Sequence, residues 1–198
     1  MNKTPVKMKK ISYLLITLGL SLLACKNDKK KTETKEEVIE VVEKKVETSK
    51  KLKIALNAKS NSNVSGNAVF KEENGIVTMT AIIDGLEPGS HAIHIHQTAD
   101  CSSNDGKSAG GHWNPTAKPH GKWGAETGYH KGDIGNFIAD ENGNGTITHS
   151  TNEWCIGCDD ENKNILGKAV IVHAGADDFT SQPSGAAGAR VSCAGIIE

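Results

Sequence analysis

The sequence predicts an all-β domain, a sandwich or barrel of eight short strands, on three observations. Apolar and polar residues alternate in short segments, Gly, Asn, Asp and Pro punctuate the intervals, and few segments carry a helical period. Strand character runs over 52–58, 64–72, 75–83 and 92–96, then over 133–139, 145–149, 169–173 and 189–194. Glu72-Glu73-Asn74-Gly75 is a hairpin signal, because Asn-Gly readily takes the left-handed conformations of a tight turn. Leu86-Glu87-Pro88-Gly89 marks a turn before the fourth strand.

Two long stretches, 97–132 and 174–188, lack strand pattern. Structureless loops of such length in a compact domain are usually functional. The first contains His112, His120 and His130, and the second begins beside His173. The loops are therefore expected to carry the site and the strands to anchor it.

The front of the chain is of another kind. Lys3, Lys7, Lys9 and Lys10 precede an apolar run from Ile11 to Ala24, short for a bilayer span but suited to the core of a secretory signal. The run ends Leu22-Leu23-Ala24-Cys25, which resembles the bacterial lipobox, whose cysteine is lipidated and becomes the first residue after cleavage. Residues 1–24 are thus read as a lipoprotein signal peptide and Cys25 as the lipidated residue; an incidental cysteine near a simple cleavage point would still leave the chain exported. Residues 26–51 are rich in Lys, Glu and Thr with no aromatic, too polar to offset chain entropy by burial, so 25–51 is a charged, lipid-anchored tether. The remaining 52–198 is one domain, with 10 Lys and Arg against 17 Asp and Glu, a net charge of −7. Nucleic acid is excluded as a natural partner of such a surface.

The histidines indicate metal chemistry. Of the 8 in the chain, His91, His94, His96, His112, His120 and His130 fall in one region, and imidazole is the commonest protein ligand for copper and zinc. His94 and His96 are two apart on a predicted strand, so both rings leave the same face. His173 ends another strand; if the two are neighbours, a third nitrogen reaches the same ion, a set suited to Cu(II). His112, His120, His130 and Asp133 supply three imidazoles and a carboxylate, a tetrahedral set for zinc, in a loop with little apolar content to hold it otherwise. Any one of these histidines alone would read as an ordinary loop or core residue.

In order along the chain stand H-A-I-H-I-H at 91–96, A-D-C at 99–101, S-A-G-G-H-W-N-P at 108–115, Y-H-K-G-D-I-G-N at 129–136, V-I-V-H-A-G-A-D-D at 170–178 and G-A-R-V-S-C-A-G at 188–195. These blocks resemble the copper, zinc superoxide dismutases, in particular the exported bacterial type, over essentially all of 52–198. The resemblance implies an eight-stranded Greek-key β-barrel or sandwich with a metal-binding loop and a short electrostatic loop. It implies one copper per subunit on His94, His96, His112 and His173, and one zinc on His112, His120, His130 and Asp133. His112 would then be shared as a bridging imidazolate, feasible because two cations stabilise the anion. Asp177 matches the carboxylate that links ligands of the two metals, His91 a structural histidine, and Arg190 the guanidinium that pairs with substrate.

The activity so implied is disproportionation of superoxide to O2 and H2O2 by copper cycling between Cu(II) and Cu(I), with zinc tuning the site. The segment from His173 to Arg190 is shorter than in the eukaryotic enzymes, and its substrate-steering charges have no counterparts here; Lys107, Lys118 or Lys131 are candidates. A homodimer is expected, as is a location on a membrane facing the periplasm or the cell surface. The rival reading is an exported copper-binding protein of the same fold that buffers or delivers copper without turnover. A purely adhesive surface domain would leave the ligands idle.

Cys101 and Cys193 match the family's intrasubunit disulfide, which export makes plausible and which would contribute roughly 3–5 kcal/mol in the chain-entropy model. Cys155 and Cys158, in W-C-I-G-C, are an addition. A local disulfide stapling an exposed turn is expected, because no βαβ pattern surrounds them as in thioredoxin-type centres. A third reading is an extra metal site with His149.

Overall fold

The computed structural model describes residues 49–198, so the signal segment, Cys25 and the tether up to residue 48 lie outside the described residues. The chain forms β1 (Lys50–Ala58), β2 (Ser65–Glu73), β3 (Ile76–Asp84), β4 (Gly89–His96), β5 (Gly135–Ala139), β6 (Gly145–Thr151), β7 (Ala169–His173) and β8 (Arg190–Gly195). A single 3-10 turn at Lys107–Ala109 is the only helical element among the described residues. All the expected strands are present, with three starts shifted by two residues or more. β1 takes in Lys50 and Lys51 from the expected tether, pairing them with Glu72 and Lys71. β4 starts at Gly89 because Gly89 and Ser90 pair with Ala139 and Ile138. β5 starts at Gly135, not 133, because the Asp133 and Ile134 amides turn back to the His130 and Gly132 carbonyls at 3.1 and 2.9 Å.

The strands close into a barrel in the order β1-β2-β3-β6-β5-β4-β7-β8, every pair antiparallel. Sequence neighbours β3 and β4, and β6 and β7, are not ladder neighbours, so the chain crosses the barrel ends in Greek-key fashion. Closure leaves no strand edge unpaired. The β2–β3 hairpin turns at Asn74 and Gly75, with φ of 52° and 76°, the left-handed pair the sequence calls for.

Alternation sorts the side chains. On β3, Val77, Met79, Ala81 and Ile83 are buried while Thr78, Thr80 and Ile82 face outward. Phe70, Ile93, Ile95, Trp154, Ile165 and Ile196 join them in the core. β4 departs from this pattern, since its outer residues His94 and His96 are as buried as its core-facing Ile93 and Ile95. The two long loops cover that outer face. Cys101 and Cys193 form a disulfide, with Cα atoms 5.9 Å apart, tying the first long loop to β8.

Candidate metal centre

Strand pairing assembles the first half of the site. β4 pairs directly with β7, and β7 with β8, so His94, His96, His173 and Arg190 come from three adjacent strands. His173 is opposite Arg190 in the register, next to an irregularity between Val172 and His173. His112 joins them from the loop through a bridge to His96. One ring nitrogen from each of His94, His96, His112 and His173 lies within 4.8 Å of the others, and all four residues are buried.

The second half is built from the loop alone. His112, His120, His130 and Asp133 likewise converge within 4.8 Å. The Nδ1 atoms of His112, His120 and His130 approach the Asp133 carboxylate at 2.8, 3.0 and 3.2 Å. A tetrahedral zinc with bonds of roughly 2.0–2.1 Å has donor–donor edges of roughly 3.4 Å, so a small contraction separates these distances from a zinc polyhedron. His112 is the residue common to both clusters: its Nδ1 faces Asp133, and its ring lies 4.0 Å from that of His94.

The donor atoms are oriented for cations. His94 Nδ1, His96 Nε2, His112 Nε2, His120 Nδ1, His130 Nδ1 and His173 Nε2 are buried without a hydrogen-bond partner, which is costly unless an ion completes them. The opposite nitrogens are fixed. His96 Nδ1 donates to the Gly110 carbonyl at 3.0 Å, His173 Nδ1 to the Gly188 carbonyl at 3.4 Å, and His94 Nε2 to Asp177 Oδ2 at 2.9 Å. Such partners hold a ligating ring in the tautomer whose lone pair faces the metal. Four imidazoles suit Cu(II), and three imidazoles with a carboxylate suit zinc, so the residues present fit both ions.

Charge preference follows from burial. Burial holds His96 well below its ordinary pKa; it brings His173 down to about 3 and, against the pull of Asp133, His112 to about 4, leaving the three rings neutral at pH 7. His120 goes the other way: burial opposes its charge, but the adjacent carboxylates of Asp133 and Asp177 outweigh it and raise the pKa to about 9. Burial would raise the Asp133 carboxyl, but the three imidazoles of His112, His120 and His130 gathered around it, with the hydrogen bond from the His130 amide, hold it far below the carboxylate range.

Residues 64–196 match the copper/zinc superoxide dismutase family. The chain belongs to that family. Among solved structures it is similar to the clock protein EA4, at 31% identity and TM-score 0.64 over 74% of this chain and 94% of that one. It is also similar to a double mutant of a superoxide dismutase-like protein from Bacillus subtilis, at 32% identity and TM-score 0.66 over 74% and 97% of the two chains. A single mutant of the same Bacillus protein matches at 30% identity and TM-score 0.66 over the same shares. The family implies copper and zinc, the two ions that the clusters fit.

As a superoxide dismutase fold, the chain opens its metal centre into a cavity of about 480 Å³ lined by His96, His112, His173, Lys107, Asn114 and Arg190, among others. Arg190 is half-buried, and its Nη1 donates to the Gly106 carbonyl at 2.9 Å, fixing the guanidinium at the cavity wall. Of the three lysines considered for steering, Lys107 lines this cavity. Lys131 is instead paired with Glu153, and Lys118 lines a separate depression with Thr116 and Tyr129.

Several fastening residues escaped the sequence reading. Asn136 clamps Asp177: its Nδ2 donates to the Asp177 carbonyl and its Oδ1 accepts the Asp177 amide, both at 2.8 Å. Gln182 clamps His120 in the same way, at 2.9 Å for each bond. Asn136 ends the Y-H-K-G-D-I-G-N segment at 129–136, whereas Gln182 falls in a loop with no pattern to single it out. Gly185, at φ 70°, sits so close that a Cβ there would overlap Asp177 Oδ1 and crowd His120 Nε2. His91 holds no position in either cluster; its Nδ1 is 2.9 Å from the His173 carbonyl and its Nε2 2.7 Å from that of Glu87.

The second cysteine pair lies outside both clusters. Cys155 and Cys158 are disulfide-bonded, so they offer no thiolate, and no metal cluster among the described residues includes His149. His149 packs instead against Trp123 and Trp154, with ring centroids 4.4 and 5.0 Å away. The stapled turn is only partly exposed, because Trp154, Cys155 and Ile156 are buried.

Proposed function

We propose that the protein is a superoxide dismutase, with copper on His94, His96, His112 and His173, zinc on His112, His120, His130 and Asp133, and one of each per subunit. The observation that carries this is the complete set of buried, inward-facing and unpartnered ring nitrogens, opening into a cavity that also holds a guanidinium. Bound copper supplies a one-electron couple that takes an electron from one superoxide and returns it to a second, giving O2 and, with two protons, H2O2.

The protein's own residues do the rest. Arg190 attracts and orients the anion at the cavity wall, since one of its nitrogens is occupied by Gly106 and the others remain for substrate. Local positive potential is needed because the domain as a whole is acidic. His112 Nε2 faces the first cluster while Nδ1 stays with the second, so Nε2 can hold and release a proton beside the reacting oxygen without the ring leaving Asp133. Asp177 holds His94 and His120 in one orientation, and the buried cluster excludes water from the opposite side.

A dismutase-like fold that stores or delivers copper without turnover is the second reading. The retention of Arg190 in the cavity favours turnover, because storage needs no anion receptor. The same proposal includes export, lipidation at Cys25, a membrane surface facing the periplasm or exterior, and a homodimer; the first three rest on the front of the sequence. The deciding experiment is a superoxide dismutation assay on the chain loaded with copper and zinc, beside His112→Ala. Rapid dismutation that falls at least about 100-fold in the copper-loaded variant supports the reading. Copper binding with no dismutation by the parent overturns it in favour of storage.

A further inference from the structure

The β6–β7 loop, 152–168, reaches the zinc-type cluster from outside. Three hydrogen bonds from two consecutive residues land on the tripeptide centred on His130. Tyr129 Oη donates to Glu153 Oε1 at 2.6 Å, Lys131 Nζ donates to Glu153 Oε2, and Trp154 Nε1 donates to the Lys131 carbonyl at 2.8 Å. A single carboxylate thus holds both chain neighbours of His130. The Glu153–Lys131 pair is largely shielded, with side chains 28% and 18% exposed, so it is a stronger tie than a surface ion pair.

The platform is itself fixed. Trp154, Ile156 and Ile165 are buried in the barrel core. Cys155 N donates to the Lys163 carbonyl at 2.8 Å, Ile165 N to the Cys155 carbonyl at 3.1 Å, and Ile156 N to Glu72 Oε2 at 2.9 Å. The Cys155–Cys158 disulfide closes the turn immediately after Trp154. The side-chain fastenings of His94, His96 and His173 run elsewhere, to Asp177, Gly110 and Gly188.

We propose that Glu153 and Trp154, held in place by the Cys155–Cys158 staple, are positioning residues for His130 and set how firmly the site retains zinc. The inference rests on the zinc reading of the His112, His120, His130 and Asp133 cluster. Partners outside the ligand shell typically change metal affinity by about 10–100-fold, because a ligand that must first be ordered binds more weakly.

The test is zinc release from the full, copper- and zinc-loaded chain into a chromogenic chelator, with retained copper measured in the same samples. Glu153→Gln should release zinc about 10-fold faster, and the Cys155→Ser/Cys158→Ser double variant about 3-fold faster, both with copper retained. Ile54→Val in β1 serves as a control that lowers global stability through a core residue outside the loop, and its zinc release should match the parent's. Release from Glu153→Gln at the parental rate overturns the proposal, as does equal acceleration by Ile54→Val. If Glu153→Gln does not fold, Tyr129→Phe, which removes only a hydroxyl, decides the matter by the same criterion. A parent chain that binds no zinc fails the metal reading itself, an outcome separate from slow zinc release in every variant.

Discussion

Asp177 Oδ1 accepts a hydrogen bond from His120 Nε2 at 2.9 Å, and because its other oxygen holds His94, one buried carboxylate spans both metal clusters. Asp177 is only 3% exposed, and the hydrogen bonds from His120 and His94 overcome burial to hold its carboxyl below the ordinary range. Asp177→Ala should weaken zinc binding by about 10–100-fold, since His120 loses the partner that selects its tautomer. Competition titration against a chelator of known affinity measures this; unchanged zinc affinity would show that Asp133 and Gln182 suffice to orient His120.

Arg190 and Lys107 are expected to act on substrate rather than on metal. Arg190→Ala should lower kcat/KM about 10-fold and flatten its dependence on ionic strength, with copper retained. Lys107→Glu should produce a smaller fall of about threefold with the same salt signature, because the side chain is 78% exposed and shared with Asp105. Loss of copper from Arg190→Ala would mean that the guanidinium supports the fold of the cavity instead.

Acid should destabilise the metal-free protein. His112 and His149 have folded values of about 4, and His173 of about 3, all depressed by burial. In the unfolded chain these rings titrate near about 6.5, so between that pH and the folded values the unfolded state binds more protons. Stability therefore falls as pH drops through this window. His120, raised to about 9, contributes in the opposite sense: its share is complete below about 6.5 and is lost as pH rises through its folded value. Thermal melts of chelator-treated protein should show a lower Tm at pH 4.5 than at pH 7, and an equal or higher Tm at pH 4.5 would contradict the burial of these rings.

Lipidation at Cys25 is testable in a bacterial host. The full chain should incorporate a labelled fatty acid and partition with membranes, and Cys25→Ser should abolish both. Unlabelled parent protein in the soluble exported fraction would indicate cleavage without an anchor.

Local chemistry made the strands and ligands readable. Period-two alternation locates strands such as β3, which has a barrel face and an outer face, and Asn74-Gly75 fixes a hairpin through its backbone conformation alone. His94 and His96 declare a common face by spacing, and the order of the histidine blocks carries the family. Only the closed barrel decides that β4 lies between β5 and β7, which brings His173 and Arg190 beside them from distant parts of the chain. Gln182 on His120, Asn136 on Asp177 and Glu153 on the His130 arm were likewise beyond the sequence, because a side-chain amide or carboxylate reads as solvent-facing until the fold brings a partner to it. The sequence determined which groups can bind metal, through residue type and local periodicity. Which nitrogens stay neutral, inward and unpartnered was decided by burial and long-range hydrogen bonds, which exist only once the strands have closed and the loops have folded over them.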